Sequence, residues 1–186
     1  MTGVQTCALP IYTYESGLDS VIAGRLHEPP TKTVQLLDYR MRQSQYHLDP
    51  DLQESHRQYP WICVWDDHET ANNSYTDGAK NHNTATDGLW YNRKTNSIIT
   101  YEQWMPVRLP DPADTFKIFR KFTWGNLADL HMLDTRLFDR SKQASYNTIP
   151  ITDSILADST RTLVGPEQFN WLEGNLSSSK IGRAHV

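Results

Sequence analysis

An α/β domain with helices layered on strands is what this sequence predicts, and three observations carry the prediction. Two helical stretches precede a short apolar run, Trp61-Ile62-Cys63-Val64-Trp65; two alternating segments flank Gly125-Asn126 as in a β-hairpin; and a proline-initiated helix follows near the carboxyl end. Helices and strands interleaved in this order bury their apolar faces best as layers around one core. At 186 residues, 38% hydrophobic and 11% aromatic, the chain has enough apolar material for one packed domain.

Each element has its own signal. Between Thr33 and Ser44, the residues Val34, Leu37 and Met41, with Leu36 and Tyr39, recur near helical spacing. Leu48-Asp49-Pro50-Asp51-Leu52 opens a second helix, because proline's fixed φ suits a first helical turn. Tyr59-Pro60 ends it, since the residue before a proline avoids helical geometry. Trp61 to Trp65 is too short for a buried helix and predicts a strand covered on both faces. Asn, Asp, Thr and Gly dominate Ser74 to Thr86, which predicts a loop, and Gly88 to Met105 predicts a helix stopped by Pro106. Phe116 to Trp124 and Leu127 to Leu133 predict the two hairpin strands, and Ser141 to Ser159 a polar loop. Gly165-Pro166-Glu167-Gln168 starts the last helix, with Phe169, Leu172 and Leu176 as its apolar stripe. The sequence contains no internal repeat, low-complexity tract or interdomain linker.

Composition excludes several partners. Net charge is -4, and Lys and Arg are scattered singly, so no basic stripe offers itself to a nucleic-acid backbone or to anionic lipid. No apolar run approaches the roughly 20 residues that span a bilayer, and the amino end lacks the basic-then-apolar layout of a signal peptide; location is not legible in the chain. The two cysteines, Cys7 and Cys63, make no disulfide framework, and Cys63 is expected to be a small core residue. The ends read as translated sequencing adapter: back-translated residues 1–11 and residues 181–186 are reverse complements of one oligonucleotide. Residues 12–180 are therefore the expected natural part, an internal piece of a longer protein.

Where the apolar run ends, Asp66, Asp67, His68 and Glu69 follow in succession. Ligands in α/β folds sit at the carboxyl ends of strands, where side chains and loops converge. Four ionisable groups against an apolar run repel one another and are costly to desolvate unless a cation compensates them. A metal cluster would supply it, and carboxylate with imidazole suits Ca, Mn, Zn or Fe alike. His27, His47, His56 and His82 lie in polar context without ligand spacing, and His131 alternates away from its apolar neighbours.

The run Pro60 to Glu69, followed by Asn72-Asn73, resembles the signature of the PhoD-like alkaline phosphatases, relatives of the calcineurin-type metallophosphoesterases. Further landmarks fall in that family's order: Tyr12-Thr13-Tyr14-Glu15, Tyr39-Arg40, Asp51-Leu52-Gln53, Tyr101 to Pro106, Met132 to Arg136, Leu163-Val164-Gly165, Gln168 and Trp171-Leu172. The resemblance spans Tyr12 to Lys180 and implies part of a metallophosphatase-type αββα sandwich with helical and loop insertions. It implies metal-dependent hydrolysis of phosphate monoesters, diesters or both, at a mixed centre of iron and calcium. Asp67 is the implied principal metal ligand, and Asp66 is a second ligand or a support for it. Tyr14 is the implied iron-binding phenolate, and His68 the group that hands a proton to the leaving alkoxide. Asn73 is a candidate support for the site loop, and Arg136 either anchors a carboxylate pair or contacts phosphate.

Position 11, where the family has a metal-binding Asp, carries Ile11. An upstream cysteine ligand and ligands downstream of Trp171 are also absent, so the chain alone is expected to lack phosphatase activity. A phosphate ester as substrate and a periplasmic or secreted location complete what the resemblance implies; a monomer is expected, though the sequence does not set the oligomeric state. The alternative is a non-catalytic, calcium-binding or interaction module that keeps the fold.

Overall fold

A computed structural model describes residues 27–144, 154 and 157–181. Tyr14, the amino-terminal adapter-like residues and most of the 141–159 loop lie outside the described residues. The elements are α1 (Leu36–His47), α2 (Pro50–Gln58), α3 (Thr84–Asp87), α4 (Trp90–Trp104), β1 (Arg120–Trp124), β2 (Ala128–Met132) and α5 (Gly165–Ser178). This is a partial α/β fold in which α1 packs on α4 and α2, α3 packs on α4, and β1 and β2 form one antiparallel hairpin.

Local chemistry sets the helix bounds. The Asp38 carboxylate of α1 accepts from the backbone N–H groups of Val34 (3.0 Å) and Gln35 (2.8 Å), satisfying donors that the first turn leaves open. Asp49 caps α2 by accepting from Asp51 N (2.9 Å) and Leu52 N (3.1 Å), with Pro50 at the first helical position. The expected helix before Pro106 is α4, and it buries Trp90, Arg93, Lys94, Ser97, Ile98 and Tyr101, a face repeating every three or four residues.

Two of those buried side chains are cationic, and both are occupied. Arg93 donates through Nε to Tyr39 Oη (3.2 Å) and through Nη1 to the Asn81 carbonyl (2.8 Å). Lys94, whose pKa burial lowers, donates to the carbonyls of Leu137 (3.0 Å) and Thr76 (3.3 Å). These contacts, with Asp87 Oδ2 3.6 Å from Arg93 Nη1, offset part of the desolvation cost of buried charge and tie the 76–81 loop and Leu137 to α4. Around this helix the core gathers Cys63, Trp65, Ala71, Trp90, Ile98, Tyr101, Met105, Ile118 and Leu137.

β1 and β2 pair antiparallel, with Arg120 opposite Met132 and Trp124 opposite Ala128. Gly125, at φ 52°, occupies the left-handed region the connection needs. β1 begins at Arg120 and not at Phe116, because Lys117 N turns back to the Asp114 carbonyl (3.1 Å) and draws the preceding residues out of the ladder.

The Trp61 to Trp65 run is not a ladder strand. Its burial does alternate, with Cys63 and Trp65 inside and Ile62 and Val64 half-buried, but it pairs with no strand among the described residues. The Arg120 guanidinium takes the Cys63 carbonyl at 2.6 Å, a partner that a neighbouring strand's N–H would otherwise supply. The stripe expected on α5 is not core either. Phe169 is 55% exposed and Leu176 39%, while Gly165 and Gln168 are the buried residues. Trp171 holds α5 to the hairpin, its ring 5.1 Å from Phe119 and 5.7 Å from His131.

Candidate active site

The acidic run turns away from the core immediately after Trp65. Thr70 N (3.0 Å) and Ala71 N (2.7 Å) both return to the Asp67 carbonyl, making a tight turn. Asp67 Oδ2 then accepts from Asn73 N at 2.6 Å, closing the loop on its own side chain. Asn73 sits at φ 53°, a left-handed conformation that asparagine tolerates better than most residues. Tyr39 of α1 donates its hydroxyl to the Thr70 carbonyl (2.6 Å), and Thr70 Oγ1 lies 2.8 Å from Ser97 Oγ of α4. The loop is thereby clamped between two helices.

Four sequence-predicted residues come together here. Arg136 Nε donates to Asp66 Oδ1 at 2.5 Å, and Arg136 Nη2 stands 3.5 Å from Asp67 Oδ1, so one guanidinium spans both acids. His68 Nε2 is 3.7 Å from Asp67 Oδ2. Side-chain exposure falls from 41% at Asp66 to 21% at His68 and 8% at Asp67, which leaves Asp66 and His68 facing an open edge. Asn73 reaches Asp67 through its backbone. Tyr14 lies outside the described residues.

Sequence reasoning did not separate Glu69 from its neighbours, and the structure does. Its Oε2 accepts from Asp66 N (2.7 Å), and Oε1 meets no hydrogen-bond partner among the described residues. Burial, reinforced by the Asp66 and Asp67 charges, pushes its pKa up to about 8, so the group is neutral at neutral pH. Arg140 joins the same neighbourhood, its Nη1 donating to the Thr135 carbonyl (2.5 Å), with burial first and Arg136 second lowering its pKa.

Behind the guanidinium lies the fully buried Asp134 carboxylate. Its Oδ2 accepts from Trp65 Nε1 (2.8 Å), and its Oδ1 from the backbone N–H groups of Arg136 (2.7 Å) and Leu137 (2.8 Å). Burial raises its pKa, against the opposing pull of those donors. The other histidines serve packing: His47 lies against Trp104 (5.2 Å), His56 against Trp61 (4.5 Å) and His82 against Trp90 (5.1 Å). Cys63 is a buried core residue, as expected.

Among the described residues the cationic group beside Asp66 and Asp67 is the Arg136 guanidinium. Carboxylates and imidazole are suitable ligands for hard or borderline ions, but Asp67 Oδ2 is engaged by Asn73 N and Oδ1 faces the guanidinium. Among the described residues no group of three His, Cys, Asp or Glu side chains converges as a metal would require. The described donor set therefore does not fit a metal by itself. What it offers is a pair of carboxylates bridged by a guanidinium, with the His68 imidazole beside them at the open edge.

Comparison with known proteins identifies the family. The family model described as PhoD-like phosphatase matches residues 10–182. Alkaline phosphatase D of Bacillus subtilis (strain 168) is 34% identical over 175 residues, covering 90% of this chain and 29% of that protein. The solved structure titled "Structure of PhoD" superposes with a TM-score of 0.67 at 37% identity, covering 81% of this chain and 29% of that one. This chain thus spans less than a third of the length of the relatives it matches. A family match that runs almost end to end, over a fold that superposes on a solved relative, establishes that the chain belongs to the PhoD-like phosphatase family.

Proposed function

We propose that the chain is part of a metal-dependent phosphoester hydrolase acting on phosphate monoesters, diesters or both. The observation that carries the reading is the convergence of Asp66, Asp67, His68 and Arg136 at one open loop edge in a PhoD-like chain. In this reading His68 delivers the proton to the leaving alkoxide, and the Arg136 guanidinium holds the acid pair and a phosphate oxygen in register. Iron with calcium is the proposed metal content, with Asp67 and Tyr14 among the ligands and the rest contributed by the remainder of the protein. Export to the periplasm or cell exterior is proposed from the family; no helix among the described residues is long and apolar enough to cross a membrane. The 186-residue chain alone is expected to show no turnover. A second reading is a non-catalytic calcium-binding or interaction module that keeps the fold; the engagement of both acids by Arg136 suits its interaction form.

The test is made on the full-length protein that contains this chain, by metal analysis and by hydrolysis of para-nitrophenyl phosphate and its bis ester. Asp67→Ala is expected to lose bound metal and turnover together. His68→Ala is expected to keep the metal and lose roughly 100-fold or more in kcat, as removal of a general acid does. Wild-type rates in both variants would sink the site assignment, and metal binding without turnover in the parent would favour the second reading.

A further inference from the structure

We infer that Gln168 and Asp134 are positioning residues that set the Arg136 guanidinium across Asp66 and Asp67. Gln168 is fully buried on α5, a helix whose apolar stripe faces outward, so its burial serves something other than a packed apolar face. Its side-chain amide meets both backbone groups of one residue: Oε1 accepts from Asp134 N (2.8 Å) and Nε2 donates to the Asp134 carbonyl (2.8 Å). A second bond from Nε2 to the Val164 carbonyl (3.1 Å) fixes the amide within its own helix. The same Asp134 uses its carboxylate to hold the N–H groups of Arg136 and Leu137 and the indole of Trp65.

Both faces of Asp134 are therefore committed, the backbone to α5 and the side chain to the turn that launches Arg136 and to the run that ends in Asp66. Every bond in this relay is between 2.7 and 3.1 Å, and each of the side-chain polar atoms of Gln168 and Asp134 has at least one partner. Buried polar networks that are fully satisfied specify one geometry, because any displacement strands a group without a partner. The freedom removed from the 134–137 turn is freedom the guanidinium would use to leave the acid pair. The catalytic consequence rests on the hydrolase reading above; the positioning itself does not.

The 186-residue chain provides a direct readout in the ¹⁵N-resolved Arg136 Nε–H signal, which is slow to exchange while the bond to Asp66 persists. Gln168→Leu is expected to broaden or abolish that signal, whereas Trp171→Leu, which loosens α5 without touching the relay, should keep it at a matched loss of thermal stability. An unchanged Arg136 signal in folded Gln168→Leu would overturn the proposal. Should that variant not fold, Gln168→Glu keeps the acceptor and loses the donor. A signal there as slow to exchange as in the parent would overturn the proposal equally, and faster exchange would support it. In the full-length protein, Gln168→Leu is expected to lower kcat about tenfold with KM little changed, while Trp171→Leu stays near the parent. Loss of the Arg136 signal with an unmoved kcat would overturn positioning for the reaction. The hydrolase reading, tested separately through Asp67 and His68, would survive that result.

Discussion

Burial holds the Glu69 carboxyl neutral up to about pH 8, well above the 4.5 of an exposed glutamate, and the Asp66 and Asp67 charges act in the same direction. A folded pKa raised above the unfolded one means that, between those two values, the folded chain keeps a proton the unfolded chain releases. The stabilisation is fully present below about pH 4.5 and is lost as pH rises through about 8. With metal chelated, the urea midpoint of the parent is expected to fall between pH 5 and pH 9, and that of Glu69→Gln to stay level and lie above the parent at pH 9. Parallel profiles for the two proteins would remove Glu69 as the cause. The demand for a cation beside Asp66 and Asp67 was legible in the sequence, because four ionisable groups after an apolar run need one. That Arg136 anchors a carboxylate pair was one of the two roles read for it; which acids it meets was not legible, since its contact with Asp66 spans 70 positions and follows from tertiary geometry.

At the scale of elements, two glycines with positive φ separate backbone strain from steric exclusion. A Cβ on Gly125 would meet nothing within 4 Å, whereas one on Gly165, at φ 71°, would stand 2.2 Å from Asp139 Cβ. Gly125→Ala is expected to cost roughly 1–2 kcal/mol, the left-handed strain alone. Gly165→Ala should cost more than that in chemical denaturation, because α5 must also shift away from the 134–139 turn. Equal losses would show that the turn yields freely. Helix bounds were the legible part of the fold: Asp49 with Pro50, and Met105 before Pro106, are local signals that act within a turn or two. The hairpin was legible from alternation and Gly125. The Trp61 to Trp65 run was not, because composition reports that a segment is buried and extended, while a strand also needs a neighbour. The α5 stripe misled for the opposite reason, since its polar Gln168 carries the attachment.

Across the whole molecule, stability should be graded by what each element buries. α4 buries residues of both apolar and cationic character along one face and ties two loops to itself, whereas α2 buries no residue fully. Hydrogen exchange followed by mass spectrometry is expected to find the α4 amides slowest and the α2 amides fastest among the helices; a reversed order would contradict a core centred on Ile98 and Tyr101. The family was legible because several short motifs recur in one order. The relay from α5 to the acid pair was not, because hydrogen bonds between Gln168 and a backbone leave no mark beyond one polar residue in a helix. The same relay bears on how the chain is made. Synthesis runs from the amino end, and domains fold as their segments emerge, so Asp66 and Asp67 leave the ribosome before Arg136 exists and long before Gln168 can fix it. Closing so long a loop adds little entropy, about 0.6 kcal/mol per doubling of length, so the delay and not the cost is what matters. Throughout that interval the nascent chain displays two adjacent carboxylates at the end of an apolar run with no guanidinium beside them. The first cations that segment meets are those of the surrounding solution.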